Sequence, residues 1–264
     1  MAEMTNMKRI VFKVGTSTLT YASGGINIRR VEKFVKVLSD LKNQGKEIIL
    51  VTSGAVSIGM GKMGVKHRPS STREKQAFAA IGQCELMDFY SQLFANYNHS
   101  VAQLLLTKDV VDNDVLKTNA INTFETLLSF GVIPIVNEND SISADQIEFG
   151  DNDTLSALVA KLTGADALVI LSDIDGLYNA NPNENLNAKL IPLVEKIDDN
   201  VKALAGGAGS GRGTGGMITK ITAAAIVTEA GIDMYIMNGA NPDIIYDFID
   251  GKEIGTRFKA CRGE

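Results

Sequence analysis

A glycine-rich stretch in the last quarter of the chain offers the clearest chemistry in the sequence. It reads GSGRGTGGMITK over positions 209–220. Its glycines let the backbone approach a ligand closely, and the residues after Gly216 are typical of a helix that carries Lys220 in its first turn. A helix N-terminus offers unpaired N–H groups and about half a positive charge. Because the lysine adds a full positive charge, this stretch suits a phosphate group.

Glycine-rich loops are often no more than flexible connections, and this one fails two stronger templates. Gly211, Gly213 and Gly216 fit G-x-G-x-x-G, but no predicted strand precedes them, so the dinucleotide-binding fingerprint lacks its context. The sequence contains no G-x-x-x-x-G-K-[ST], which excludes a Walker P-loop. Phosphate binding at this loop therefore needs support from other parts of the chain.

A second lysine that could bind a phosphate lies near the start of the chain. Lys13 lies at the end of a short apolar run, Arg9 to Val14, and the small residues GTST follow. Such a turn can point successive N–H groups at an anion, although a plain strand-to-loop turn explains it equally well. Lys13 and Gly15 are therefore candidates for the same phosphate.

Polar side chains follow several apolar runs at the points where the predicted strands end. The carboxyl ends of parallel strands share one edge of an open α/β sheet, and ligands bind at that edge. The block GDND at 150–153 opens a predicted helix, and capping explains one of its polar residues but not all three. For the four polar residues at 137–140, a solvated loop is the alternative interpretation. The candidates are Ser53, Asn137, Glu138, Asn139, Asp140, Asp151, Asn152, Asp153, Ser172 and Asp173.

The elements that position these residues alternate between strands and helices. Apolar runs at 9–14, 47–52, 101–106 and 233–237 are typical of buried strands, as are the apolar parts of 132–140, which ends in four polar residues, and of 165–178, where the strand ends at Ser172 and Asp173. Residues with helical spacing lie between these strands. The helix predicted from about Thr72 to Tyr97 carries Cys84, which we interpret as a packing residue. This alternation predicts an α/β fold, a three-layer αβα sandwich with a mainly parallel central sheet. We expect one domain over 1–264, with an ordered core of about 8–258.

Composition excludes several classes of function. The net charge of -5 argues against nucleic-acid and anionic-membrane partners, which require basic patches. The two cysteines, Cys84 and Cys261, cannot build a disulfide framework, and no Cys/His cluster indicates zinc. No apolar run reaches the roughly 18 residues that span a bilayer. A cytoplasmic protein is expected.

Taken together, the blocks resemble the amino-acid kinase family from about Lys8 to Phe258. The sequence blocks on which this resemblance rests are KVGTSTL, VTSGA at 51–55, VNEND at 136–140, GDND at 150–153, LSDIDGLY at 171–178 and GTGGMITK at 213–220. Their order and number are far more specific than any one block. GTGGM with its lysine, GDND and VNEND together are similar to the family members that act on glutamate.

The resemblance implies roles for particular residues. Lys13 and Lys220 would face the transferring phosphoryl group, and Asp153 would orient their ammonium groups. Glutamate would contact Ser53, Asp140 and Asn152, with Asn137 in support. The residues implied in ATP binding are Lys13, Gly15, Ser172, Asp173, Thr214, Gly215, Gly216, Met217, Ile218, Thr219 and Lys220.

The implied reaction transfers the γ-phosphoryl group of ATP to the side-chain carboxylate of L-glutamate, the first step of proline biosynthesis. No protein metal ligand is expected, and Mg²⁺ would be bound mainly through the ATP phosphates. The family further implies a homo-oligomer, feedback inhibition by proline, and a glutamyl phosphate reductase that uses the product.

Two departures from the family pattern and two alternative functions remain open. Many members carry a C-terminal domain of an RNA-binding type, which we do not expect here, and some have a basic residue where Glu148 stands. One alternative is a related kinase of acetylglutamate, aspartate, carbamate or a nucleoside monophosphate. The other is a non-catalytic amino-acid sensor, although such a sensor would not need two lysines at a phosphoryl group.

Overall fold

Eight strands form the centre of the molecule in a computed structural model. The structure describes residues 6–21, 23–67, 69–107, 109–142, 152–182, 184–205 and 216–261. The strands are β1 (Arg9–Val14), β2 (Glu47–Val51), β3 (Val101–Leu106), β4 (Ile133–Glu138), β5 (Ala167–Ser172), β6 (Leu193–Val194), β7 (Asp233–Asn238) and β8 (Thr256–Phe258).

Helices connect most of these strands. They are α1 (Thr16–Leu19), α2 (Ile28–Asn43), α3 (Ala55–Lys62), α4 (Thr72–Ala95), α5 (Asp109–Asp112), α6 (Asp114–Ser129), α7 (Asn152–Thr163), α8 (Asp199–Ala205), α9 (Met217–Glu229) and α10 (Ile244–Ile249). Among the described helices, none combines the length and the hydropathy needed to cross a bilayer.

The strands pair in the order β3-β4-β2-β1-β5-β7-β8-β6. All pairs are parallel except β7 with β8, which is antiparallel. The predicted mainly parallel sheet is therefore confirmed. Lys13 of β1 lies opposite Val51 of β2 and Ile170 of β5, which places it in the middle of the sheet.

Two apolar layers cover the faces of the sheet, as the near-continuous hydrophobic strands predict. Ile10 and Phe12 of β1 pack on one face with Phe34 of α2 and Tyr90 of α4. Val11, on the other face, belongs to a second cluster that includes residues of α6, α7 and α9. These helices bury the sheet on both sides and leave the ends of its strands as the place for a ligand.

Parts of the sequence prediction were wrong in detail. Sequence reasoning places the start of helix α6 at Lys117, but the helix begins at Asp114, because the Asn113 side chain accepts hydrogen bonds from the N–H groups of Val115 and Leu116 and caps the helix there. The prediction also missed β6 and α8, which lie between β5 and the glycine-rich loop.

Candidate functional site

Two lysines from distant parts of the chain meet on one carboxylate. Lys13 Nζ lies 2.7 Å from Asp153 Oδ1, and Lys220 Nζ lies 3.1 Å from Asp153 Oδ2. The three residues come from β1, the first turn of α7 and the first turn of α9. The structure thus brings together the three residues whose roles the family resemblance implies.

This cluster is nearly closed to solvent. Asp153 has no exposed surface, Lys13 is 4% exposed and Lys220 is 5% exposed. Burial alone would raise the pKa of Asp153, but the ammonium groups of Lys13 and Lys220 outweigh it and hold that pKa well below its ordinary range. Since two cations share one anion, the cluster has a formal surplus of one positive charge, which suits a phosphoryl group.

Helix α9 directs its N-terminus toward this cluster. Gly216 precedes the helix, and the Thr219 hydroxyl lies within donating distance of two acceptors, the Gly216 carbonyl oxygen at 2.8 Å and Asp153 Oδ2 at 3.0 Å. Met217 is half-buried and Ile218 is exposed. Backbone N–H groups at such a helix start are suited to phosphate oxygens.

The other residues implied in nucleotide binding lie at the same edge of the sheet. A Cβ on Gly15 would lie 3.7 Å from Lys13 Nζ, so the Gly15 backbone passes close to that ammonium group. Ser172 ends β5, which pairs with β1, and its hydroxyl donates to Asp173 Oδ1 at 3.2 Å. Ser172 is buried, whereas Asp173 is exposed.

Three of the implied substrate residues are joined through the Asn152 amide. Asn152 Nδ2 lies 2.6 Å from the Thr52 carbonyl, 2.8 Å from Ser53 Oγ and 2.8 Å from Asn137 Oδ1. Its hydrogens therefore tie the ends of β2 and β4 to the start of α7. Asn152 directly precedes Asp153, so the residues implied for glutamate and those implied for the phosphoryl group meet at one helix N-terminus.

The fourth implied substrate residue, Asp140, lies beside a pocket of about 400 Å³. This volume falls in the range of small-molecule sites. Burial raises the pKa of the Asp140 carboxyl. The pocket lies between α3, α4 and the ends of β3 and β4, and it is lined by Ala55, Ala79, Ala80, Gln83, Cys84, Met87, Gln103, Leu105, Glu138, Asn139, Asp140 and Ser141.

Several predicted residues fall outside the described part of the chain. They are Asp151, Thr214 and Gly215, together with Glu148, the position at which some family members carry a basic residue.

The sequence prediction missed Gln83 and misjudged its neighbour Cys84. Gln83 is buried, and its Oε1 accepts a hydrogen bond from Asn137 Nδ2 at 2.8 Å. No motif contains it, because it lies in the middle of a long helix. Cys84 is exposed at the pocket rather than packed in the core, because it points away from the buried stripe of α4 that includes Leu86 and Tyr90.

A glycine contact between α3 and α4 sets the position of this pocket wall. A Cβ on Gly82 would lie 1.8 Å from the Ala55 carbonyl oxygen, and one on Gly59 would lie 2.0 Å from the Phe78 carbonyl oxygen. The two helices are therefore as close as their backbones permit. Helix α3 starts two residues after Ser53, and Gln83 follows Gly82, so this contact holds both residues in place.

Gly82→Ala should accordingly destabilise the protein and loosen the pocket. The new methyl group must separate the helices, which costs about 3 kcal/mol and lowers the Tm by about 6–12 °C. Calorimetry measures this, with Gly25→Ala as the matched control because the space beside Gly25 accepts a Cβ at ordinary contact distance. A Gly82→Ala Tm within 1 °C of the wild type, roughly the effect of 0.3 kcal/mol, would contradict the close contact.

Comparisons with known proteins agree with this geometry. The family model described as "Amino acid kinase family" matches residues 8–238. A glutamate 5-kinase of Clostridium perfringens is 53% identical over 265 residues, which cover 99% of this chain and 98% of that protein. A glutamate 5-kinase of Clostridium tetani is 50% identical over 259 residues, 98% of this chain and 97% of that protein.

Solved structures with low sequence identity share the fold. A carbamate kinase from Giardia lamblia has a TM-score of 0.68 at 17% identity, covering 97% of this chain and 99% of its own. An isopentenyl phosphate kinase from T. acidophilum has a TM-score of 0.64 at 17% identity, covering 96% and 100%. The αβα architecture with a mainly parallel sheet is therefore that of these kinases.

Proposed function

The chain belongs to the amino acid kinase family, and we propose that it transfers the γ-phosphoryl group of ATP to the side-chain carboxylate of L-glutamate, forming L-glutamyl 5-phosphate. The observation that carries this proposal is the pair of buried ammonium groups on Asp153, directly beside the amide that joins the substrate residues. A phosphoryl donor and an acidic acceptor would meet between these two sets of residues.

The phosphoryl side of the site supplies charge rather than a general base. A glutamate carboxylate has a pKa of about 4.3 and is already ionised at neutral pH. The obstacle is repulsion between an anionic nucleophile and an anionic phosphate, which fixed positive charge reduces. Lys13 and Lys220, which both contact Asp153, would hold the transferring group, and Asp153 would keep both ammonium groups oriented.

Magnesium would enter this site with the nucleotide. Among the described residues, no group of three or more His, Cys, Asp or Glu side chains is arranged to hold a metal ion. Mg²⁺ commonly binds substrate phosphates and keeps several waters, so a site without a protein cage is compatible with it. When bound, the ion neutralises charge on the ATP phosphates.

The substrate side favours a free amino group. Asp140 is a largely buried carboxylate in the pocket, and a protonated α-amino group would give it a charge partner. An acetylated amine would leave this carboxylate unpaired, which costs several kcal/mol, on the order of that for a broken buried ion pair. This physical difference supports glutamate over N-acetylglutamate.

A hydroxylamine assay tests the reaction directly, because hydroxylamine traps an acyl phosphate as a hydroxamate. With ATP and Mg²⁺, we expect hydroxamate from glutamate and none from N-acetylglutamate or aspartate. Turnover with one of the latter would instead identify another kinase of the family. The absence of turnover with all three would indicate an amino-acid sensor.

Asp140→Asn should raise the glutamate KM by about 100-fold, because the α-ammonium group loses its only proposed charge partner in the pocket. The ATP KM should change by less than about threefold, which is about half of the 1.4 kcal/mol that makes a tenfold difference. Steady-state kinetics with each substrate varied in turn measures both values. Equal increases in the two KM values would show that Asp140 is not a substrate residue.

The glutamate KM of the wild type should also rise at acidic pH. Burial raises the pKa of Asp140, so its carboxylate is protonated, and its attraction for the ammonium group is lost, as the pH falls through that raised value. The α-amino group stays protonated throughout this range. A profile of glutamate KM against pH for wild type and Asp140→Asn measures the effect, and a rise of the same size in both would contradict this assignment.

The product and the family support further proposals. An acyl phosphate hydrolyses readily, so we propose that a glutamyl phosphate reductase uses it promptly, in the cytoplasm, as the next step of proline biosynthesis. Proline as a feedback inhibitor and a homo-oligomeric state belong to the same proposal. Titrating proline into the hydroxamate assay, and light scattering of the purified protein, test these two points.

A further inference from the structure

An unused hydrogen-bond donor lies at the wall of the substrate pocket, on the side chain of Gln83. This residue is 8% exposed and lines the pocket together with Asp140. Its Oε1 accepts from Asn137, but its Nε2 is buried and has no hydrogen-bond partner among the described residues. Buried side-chain donors nearly always have partners, so this nitrogen requires an explanation.

Three side-chain amides, those of Asn152, Asn137 and Gln83, form a hydrogen-bonded chain. Two backbone groups that bind Asn152 and Asn137 fix the orientation of the Gln83 amide. The Thr52 carbonyl accepts from Asn152 Nδ2, so Asn152 presents its nitrogen to Asn137 Oδ1. Asn137 Oδ1 also accepts from the Glu138 N–H at 2.9 Å, which leaves Asn137 Nδ2 to donate to Gln83. Reversing any of these amides would place two donors or two acceptors together. The Gln83 nitrogen is therefore the unpaired end.

Among the residues that the structure describes, the pocket is lined by carboxylates and by no cation that could bind a carboxylate ligand. These lining residues include Glu138 and Asp140, and no lysine, arginine or histidine is among them. The Ser141 hydroxyl already donates to Asn139 Oδ1 at 2.6 Å. An amino acid carries its α-carboxylate next to its α-ammonium group. If Asp140 binds the ammonium group, the neighbouring carboxylate must find a neutral donor in the same pocket.

We propose that Gln83 is a specificity-determining residue of this site, with its Nε2 donating to the α-carboxylate of glutamate while its Oε1 holds Asn137. The proposal rests on the proposed function. Because this nitrogen is already removed from water in the free protein, the new bond costs it no hydration. The substrate has to displace the part of the pocket wall that shields the nitrogen.

The test compares glutamate with isoglutamine, its α-amide, which keeps the shape and the reacting side chain but lacks the α-carboxylate charge. Wild type should prefer glutamate, by kcat/KM, by at least about tenfold, the value of a hydrogen bond to a charged group. Gln83→Met should reduce that preference by about 10- to 100-fold. Gln92→Met is the matched control, because Gln92 lies on α4 like Gln83 but is exposed and is not among the residues that line the pocket. Its preference should equal that of wild type.

A merely structural Gln83 would give a different result. Gln83→Met would then lower kcat/KM for both ligands by the same factor, and the preference would change by less than about twofold, a few tenths of a kcal/mol. That result overturns the proposal. If Gln83→Met does not fold, wild type alone decides, because a preference below about twofold, against the tenfold expected for a charged hydrogen bond, means that the α-carboxylate is not recognised.

Alkylation of Cys84 measures binding without turnover. Cys84 is exposed and lines the pocket, whereas Cys261 is exposed elsewhere and is not among the lining residues, so it serves as an internal reference. Glutamate should protect Cys84 from iodoacetamide at lower concentrations than isoglutamine does. Gln83→Met should reduce the ratio of these two protecting concentrations. An equal ratio in wild type and Gln83→Met overturns the proposal. Failure of the proposed function is distinguished by the absence of hydroxamate from wild type with glutamate.

Discussion

Lys220→Met should lower kcat by about 100- to 1000-fold and leave a folded protein. The substitution keeps most of the side-chain volume and removes one of the two ammonium groups on Asp153. Aiming fixed charge at a developing negative charge contributes roughly 3–4 kcal/mol to transition-state stabilisation. Asp153 retains Lys13 as a partner, so the buried carboxylate keeps an ion pair in the variant. Single-turnover kinetics with saturating ATP and glutamate isolates this effect from changes in binding.

Lys161→Met is the matched control for this experiment. Lys161 lies on α7, the helix that begins beside Asp153, but it is exposed. Its removal changes the net charge of the protein by the same amount and should leave kcat unchanged. A decrease of less than tenfold, or under 1.4 kcal/mol, in Lys220→Met would mean that Lys220 is mainly structural.

Asp153→Asn should have the largest effect, because it acts on stability and turnover together. The substitution removes the carboxylate that both buried ammonium groups, of Lys13 and Lys220, contact. Breaking a buried ion pair by removing one partner costs about 3–5 kcal/mol. Because the pKa of Asp153 is held well below its ordinary range, the wild-type carboxylate keeps its charge across the neutral range, and this loss should be constant there. Urea unfolding measures it.

A double variant shows whether the lost ion pairs are the cause. Adding Lys13→Met to Asp153→Asn removes one of the two ammonium groups that contact the carboxylate in the wild type, and it should recover part of the lost stability, but no activity. If the double variant is less stable than Asp153→Asn, the ion pairs would not be what Asp153 contributes, and packing would explain the loss.

Most of the fold was predictable because its strands are long and apolar. The ends of β1 and β3 were predicted correctly, since each run is bounded by polar residues. Strand β6 was not predictable in this way, because two residues show no periodicity and Leu193–Val194 is a strand only through its pairing with β8. The antiparallel pairing of β7 with β8 could not be predicted from the sequence either, since the direction of a strand depends on the chain path between the two strands.

The site was predictable where short motifs end strands or begin helices, and not elsewhere. Lys13, Asp153 and Lys220 were identified from their blocks, and the structure places them together. Gln83 was not predicted as a site residue, because its partner Asn137 is 54 positions away and its helix carries no motif. The burial of Tyr90 against Thr52 was missed for the same reason. Contacts of this kind exist only after the chain has folded.

The consecutive residues Asn152 and Asp153 join the residues proposed for the two reactants at the start of one helix. Asn152 holds the ends of β2 and β4, whereas Asp153 holds both lysines. Under the proposed roles, a shift of the start of α7 would act on the acceptor contacts and the phosphoryl contacts together. A new acceptor molecule would be accommodated with less disturbance by changes at Asp140 than at Gln83, since Gln83 is joined to Asn152 through Asn137.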